Sequence, residues 1–249
     1  MKRIQIRRFA PLSYVGQEAI NTLCTNLSFS GEKVKKIMMT SSHASEGKSF
    51  LTMNLMRTMA RYGKRVVLVD VDLRRSFISS RYGIAFDDND DPVGIAHFLA
   101  GMAKEDEVIY ATNIPGAFMV PVGKQVSNPL TLLNTEKFSR LLDRLAQMYD
   151  YVLVDAPPIG TVIDAAEIAK YCDGSLLIVN YNSVHRQELI AAKEQLEQTG
   201  CPILGAVLNM VDLDSFAGKK YYYKSYYADY ESDRSIQRSK KTRRRDRRD

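Results

Sequence analysis

The sequence predicts an α/β fold, a doubly wound and mostly parallel sheet. Two observations carry that expectation. Short continuous apolar runs, such as Val66-Val-Leu-Val-Asp70 and Tyr151-Val-Leu-Val-Asp155, alternate with stretches of helical apolar spacing. Such runs mark strands covered on both faces. Strands that alternate with helices imply right-handed crossovers and a parallel sheet. In addition, a polar segment ending in Gly47-Lys48-Ser49 joins one such run to a helix. Ligands of these folds bind at the carboxyl ends of the strands.

The elements follow in order. Residues 1–15 read as an irregular lead-in, and 16–30 have helical spacing. Lys36 to Thr40 reads as a short buried strand and Ser41 to Gly47 as a loop. Lys48 to Tyr62 reads as a helix stopped by Gly63. Arg65 to Val71 is a strand, Asp87 to Pro92 an acidic loop, and Gly94 to Ala100 a short helix. Phe118 to Val122 is a strand and Asn134 to Met148 a helix. Tyr151 to Val154, Ser175 to Asn180 and Ile203 to Leu208 are further buried strands, with helices at about 164–171 and 185–199. The domain boundary is expected near 215. This gives a lead-in over 1–15, a folded domain over 16–215, and a disordered tail over 216–249.

Composition bounds the function. The 249 residues are 45% hydrophobic, enough for one sizeable core. Cys24, Cys172 and Cys201 are scattered without a CxxC pair, which supports neither a zinc nor an iron–sulfur site and fits a reducing cytosol. The basic residues before Pro11 lack the apolar stretch of a signal peptide. No run of about 18 apolar residues suggests a membrane span. From Ser232 to Asp249, nine Lys/Arg against three Asp give +6, the net charge of the whole chain. The basic balance therefore belongs to the tail, and no nucleic-acid partner is expected of the domain.

Thr40 to Ser49 (TSSHASEGKS) approximates G-x-x-x-x-G-K-[ST], with Ser42 at the first glycine. In that motif backbone N–H groups cradle phosphates, the lysine reaches the β/γ-phosphates and the hydroxyl ligates Mg²⁺. The nucleotide-binding candidates are Ser45, Glu46, Gly47, Lys48, Ser49 and Phe50. Asp70 ends VVLVD, with Asp72 and Arg74 just after it, and Asp155 ends YVLVD before Ala156-Pro157-Pro158. A carboxylate at the tip of a buried strand suits Mg²⁺, which takes one or two carboxylates with waters and phosphate oxygens. Read alone, each of these aspartates is equally a turn or helix-cap residue. Arg74 suits either charge stabilisation or a salt bridge.

Six of the fourteen tyrosines fall between Tyr221 and Tyr230: Tyr221, Tyr222, Tyr223, Tyr226, Tyr227 and Tyr230. No strand or helix period turns all six rings toward one core.

These segments resemble the bacterial tyrosine kinases of capsule and exopolysaccharide systems. VVLVDVDLR and YVLVDAPP resemble that family's additional Walker A-prime motif and its Walker B. The likeness runs from about Gln17 through the tyrosine cluster. It includes Glu18 to Asn26, Asn128-Pro129 with Leu132-Leu133, Tyr149-Asp150-Tyr151 and Gly205 to Asn209. The resemblance implies a P-loop NTPase fold of the MinD/ParA-like superfamily, with ATP and Mg²⁺ as cofactors. It implies an ATP-dependent autokinase whose own tyrosine cluster is the substrate, regulating capsular or exopolysaccharide polymerisation or export. It places Lys48 on the transferring phosphoryl group and Ser49 and Asp155 on the metal. Asp70 becomes the base for the tyrosine hydroxyl and a further metal neighbour, with Asp72 in support; Asp70 and Asp72 are interchangeable at this stage. Asn209 falls near the adenine.

Its implied partners are a transmembrane polysaccharide co-polymerase-type adaptor, a second copy for phosphorylation in trans, and a cognate tyrosine phosphatase. A cytoplasmic protein held peripherally at the membrane by its adaptor follows. Two other readings stand beside it: a partitioning-type P-loop ATPase, and a catalytically weak nucleotide-sensing scaffold. The partitioning ATPases carry K-G-G-x-G-K, where this chain has His43, Ala44 and Ser45. Kinases of the family commonly have Pro-Gly at positions 44 and 45. They also carry E-x-x-R-x-x-R, linked to ring assembly, which here reads Glu18, Asn21, Cys24.

Overall fold

The computed structural model describes residues 1–86, 92–181 and 183–212. The folded unit is Met1–Asn209, and only the first three residues of the unit that follows, Met210–Asp249, are described. The acidic segment 87–91, the tyrosine cluster and the basic tail lie outside the described residues.

In chain order the first elements are β1 (Lys2–Ile6), α1 (Tyr14–Ser28), β2 (Lys36–Ser41), α2 (Lys48–Arg61) and β3 (Val66–Asp70). They are followed by α3 (Ile78–Tyr82), β4 (Ile84–Phe86), α4 (Ile95–Leu99), α5 (Glu105–Val108), β5 (Tyr110–Ala111) and β6 (Ala117–Val120). The remainder are α6 (Leu130–Leu133), α7 (Glu136–Met148), β7 (Tyr151–Asp155), α8 (Asp164–Ala169), β8 (Gly174–Asn180), α9 (Arg186–Gln198) and β9 (Ile203–Asn209).

The strands form one sheet in the order β4-β1-β5-β6-β3-β7-β2-β8-β9. From β6 to β9 every pairing is parallel. At the other edge β5 runs antiparallel to β6, and β4 antiparallel to β1. The expected mostly parallel, doubly wound sheet is what forms.

Alternation along each strand divides the core between two faces. Val67 and Val69 join Phe138, Leu142 and Leu145 of α7 and Ile168 of α8. Val66 and Leu68 join Ile20 and Leu27 of α1 and a methionine-rich stripe of α2, Met53, Met56 and Met59. Met39 and Met119 add their side chains to that stripe, and all five are buried.

One expectation is corrected. The first residues are not an irregular lead-in, because Lys2–Ile6 is a strand of the sheet. The cause is a short two-residue period: Ile4 and Ile6 are buried while Arg3 and Gln5 point outward. The first domain therefore begins at β1. It closes at Asn209, ahead of the boundary expected near 215.

In α1, Asn21 Nδ2 donates to Glu18 Oε1 (2.9 Å) and Cys24 turns into the core, where burial pushes its thiol up to about 12. The residues standing where the family carries two arginines are thus satisfied within the chain. Among the described residues no helix is long and apolar enough to cross a membrane.

Candidate functional site

The carboxyl ends of β2, β3, β7, β8 and β9 converge on one rim, and the candidate residues of the folded unit lie along it. The loop after β2 folds around a buried carboxylate. Glu46 is 2% exposed; its Oε2 accepts from His43 N (2.7 Å) and its Oε1 from Asn180 N at the end of β8 (3.1 Å). Asn209 Nδ2, at the end of β9, donates to the Glu46 carbonyl (2.8 Å). A buried charge needs such donors. Glu46 therefore uses its side chain to brace the loop, and only its backbone remains available to a phosphate. Asn209, expected near the adenine, grips the same loop.

Backbone conformation follows. Gly47 has φ 89° and Ser45 φ 66°, both left-handed. Glycine adopts that region freely, whereas a residue with a Cβ is strained there. Ser45 thus occupies the position where a glycine is common in the family. Gly160, after β7, lies so near the loop that an added Cβ would stand 2.5 Å from the Ser42 carbonyl oxygen. The Ser42 hydroxyl, at the motif's first-glycine position, is buried without a hydrogen-bond partner among the described residues. His43 pairs with Glu188 of α9 at 3.4 Å.

Lys48 and Ser49 begin α2, whose N-terminus has no side-chain cap. Ser49 Oγ donates to Asp155 Oδ2 (2.6 Å), and Thr52 Oγ1, one turn on, donates to Asp155 Oδ1 (3.0 Å). Phe50 follows in the first helical turn, half-buried. Asp155 is itself buried. Its carboxyl is pushed up to about 6 by burial, an effect opposed by the Lys48 ammonium and the Ser49 and Thr52 hydroxyls.

Asp70 pairs in register with Asp155 across β3 and β7. Burial, then the Asp155 charge, holds its carboxyl well above the usual range. Ser76 Oγ donates to Asp70 Oδ2, while Asp70 Oδ1 is buried with no hydrogen-bond partner among the described residues. Asp72 is more open. Its carboxyl is raised by burial, with Lys48 and Arg74 opposing, and its Oδ1 accepts from Arg75 N (3.0 Å). Asp70 is thus fully buried beside Asp155, whereas Asp72 is half-buried.

Arg74 makes the salt bridge. Its Nε and Nη2 hold both oxygens of buried Asp164, at 2.5 and 3.0 Å, and its Nη1 donates to the Ser127 carbonyl (3.1 Å). Thr52, Ser76 and Asp164 were not anticipated: long-range contact brings in Thr52 and Asp164, and Ser76 reaches Asp70 across the turn that follows β3. The six tyrosines of the cluster lie outside the described residues.

A strand–loop–helix phosphate cradle with acidic strand tips on a parallel sheet defines a P-loop nucleotide-binding protein. Residues 34–192 match the AAA domain family. The fold resembles that of the septum site-determining protein MinD of Pyrococcus horikoshii, whose structure was solved with Mg-ADP (TM-score 0.61, 24% identity, 73% of this chain and 72% of that one). At this identity the likeness is one of fold.

Nearer relatives define the family. The chain is 39% identical over 197 residues to the tyrosine-protein kinase CpsD of Streptococcus pneumoniae, covering 79% of this chain and 85% of that protein. The kinase domain of the Escherichia coli tyrosine kinase ETK superposes with a TM-score of 0.73 at 30% identity, over 79% and 76% of the two chains. The chain belongs to the bacterial tyrosine kinases.

Proposed function

We propose that this chain is an ATP- and Mg²⁺-dependent autokinase that phosphorylates Tyr221, Tyr222, Tyr223, Tyr226, Tyr227 and Tyr230 and thereby regulates capsular or exopolysaccharide polymerisation or export. The observation that carries the reading is Asp70. Its Oδ1 is buried and unbonded among the described residues, next to a carboxylate already engaged by Ser49.

The residues fit the metal. Ser49 and Asp155, with Asp70 beside them, supply a hydroxyl and one or two carboxylates, as a magnesium that keeps its waters and phosphate oxygens requires. Bound there, the ion would neutralise charge on the phosphates. The protein's own work is positioning. Backbone N–H groups of Ser45 to Phe50 and the start of α2 hold the phosphates. Lys48 lies on the transferring group. Glu46 and Asn209 keep the loop in shape.

In the transfer, the tyrosine oxygen bonds to the γ-phosphorus, the bond to the β–γ bridging oxygen breaks and ADP leaves. The hydroxyl proton passes to Asp70 Oδ1. Burial beside a second carboxylate makes Asp70 a stronger proton acceptor than an exposed aspartate. Asp72, half-buried beside them, orients the incoming tyrosine. Phosphorylation in trans calls for a second copy, a transmembrane adaptor supplies the membrane connection, and a tyrosine phosphatase resets the cluster.

The test is phosphotyrosine mapping by mass spectrometry after incubation with Mg-ATP, with and without the cytoplasmic peptide of an adaptor. Phosphate on Tyr221 to Tyr230 that disappears in Lys48→Met is the expected result. ATP hydrolysis without phosphotyrosine would point to a partitioning-type ATPase. Nucleotide binding without turnover would point to a scaffold.

A further inference from the structure

The turn after β3 carries an aromatic side chain that the core does not use. Ser76 Oγ donates to Asp70 Oδ2, and the next residue, Phe77, is 56% exposed. The backbone beneath the ring is anchored. The Phe77 carbonyl accepts from Arg81 N (2.9 Å) and from Ser80 Oγ (3.1 Å). Ile78, directly after it, is fully buried in the core on the α2 face of the sheet. The exposed ring therefore belongs to a fixed turn.

Arg75 shapes the same turn. Its guanidinium carbon lies 5.7 Å from the centroid of the Phe77 ring, and its backbone N donates to Asp72 Oδ1 (3.0 Å). Ser76 and Arg75 thus tie Phe77 to both carboxylates that follow from the end of β3. Covering a phenyl ring that water touches is favourable for any ligand with apolar surface. An aromatic ligand gains further by offset or edge-on stacking, at about 4.5–7 Å between centroids. A protein-tyrosine kinase brings one such ring beside its carboxylates at every turnover, the ring of its acceptor.

We propose that Phe77, steadied by Arg75, is the platform for the ring of the acceptor tyrosine, and that this contact selects tyrosine over serine and threonine. The proposal rests on the autokinase reading for the identity of the acceptor segment, residues 221–230 of a second copy. Discrimination of this kind comes from a contact that one acceptor makes and its competitors cannot. Serine and threonine have no ring to lay on Phe77. Unlike Lys48 or Asp70, a platform residue sets the affinity for the acceptor and leaves the nucleotide alone.

The experiment titrates full-length chain in Mg-ADP with fluorescent peptide 219–231, either as the sequence has it or with serine at its six tyrosine positions. Anisotropy should show that the parent binds the tyrosine peptide more tightly. Phe77→Ala should weaken that binding about tenfold, roughly 1.4 kcal/mol, and leave the serine peptide unchanged. Phe77→Trp should restore it, whereas Phe77→Leu, apolar without a ring, should restore it only in part. Phe29, which follows α1 and precedes β2, is an exposed aromatic at the amino end of the sheet, so Phe29→Ala should change nothing. Turnover gives a second readout. In Phe77→Ala the KM for the tyrosine peptide should rise about tenfold, while kcat and the KM for ATP stay within about twofold. Equal binding of the tyrosine peptide by parent and Phe77→Ala, or no binding by the parent, overturns the proposal. So does a KM for ATP that rises together with the KM for the peptide, since Phe77 would then only support the shape of the site. Binding is measured without turnover. A chain that binds the tyrosine peptide through Phe77 but makes no phosphotyrosine under Mg-ATP supports the platform and sinks the autokinase reading alone.

Discussion

Asp70 and Asp155 stand opposite each other in register on adjacent parallel strands, each only 1% exposed. Two buried carboxylates side by side are unfavourable without a cation. The arrangement therefore costs stability in the nucleotide-free protein. Asp70→Asn is expected to raise its unfolding free energy at neutral pH while abolishing phosphotransfer. The gain follows from the raised carboxyl, whose charged form is the one that burial and Asp155 disfavour. Urea unfolding without nucleotide, beside phosphotyrosine blotting, checks both halves. A variant less stable than the parent would show that the charges are already compensated.

The same pair sets a pH dependence. With Asp155 pushed up to about 6 and Asp70 also raised, the folded chain binds more protons than the unfolded chain above the ordinary carboxylate range. Stability supplied by Asp155 is therefore present at low pH and lost as pH rises from about 4 to about 6. The stability advantage of Asp155→Asn over the parent should grow across that window and then level off. A constant difference across the window would contradict the raised carboxyl.

Ser45 tests the loop. Its left-handed φ of 66° costs about 1–2 kcal/mol for a residue with a Cβ. Ser45→Gly removes that cost but adds roughly 0.4–1 kcal/mol of unfolded-chain entropy. Thermal unfolding should find it neutral to slightly stabilised. Ser45→Val, branched at Cβ, should be clearly destabilised.

Glu46→Gln keeps the size of the side chain but turns an NH₂ toward one of the two backbone donors. One buried N–H is left unpaired, at about 1–3 kcal/mol. Weaker ATP binding by calorimetry should accompany the lost stability, because His43 and Asn180 are no longer both held.

Removing Arg74 leaves Asp164 buried and without its fork. Arg74→Ala should cost about 1–3 kcal/mol, less than a fully buried pair would, since Arg74 is partly exposed. Arg74→Ala combined with Asp164→Ala should be less destabilised than the sum of the single changes. Additive losses would show that the two act independently.

Sequence reveals this protein unevenly, for physical reasons. The apolar runs of β3 and β7 announce strands covered on both faces, and GKS announces the cradle. The two aspartates at the strand tips are visible because a charge ending a buried run is conspicuous. β1 was missed because five residues carry only two turns of its alternation, Ile4 and Ile6. The bracing role of Glu46 was hidden, since its donors come from position 43 and from the far end of β8. Arg74 and Asp164 are ninety positions apart, and only the fold decides that they pair.

The methionine stripe under α2 also makes the chain its own reporter. Thioethers oxidise to sulfoxides only where peroxide reaches them. Met53, Met56 and Met59 are sealed, whereas Met1 and Met102 are 69% and 76% exposed. Under mild peroxide the two outer residues should gain oxygen steadily, whatever the state of the domain. The inner three should do so only in molecules whose core has opened. Their ratio, read from peptide masses, measures how often the helix bearing Lys48 and Ser49 leaves the sheet, without a dye or an added label.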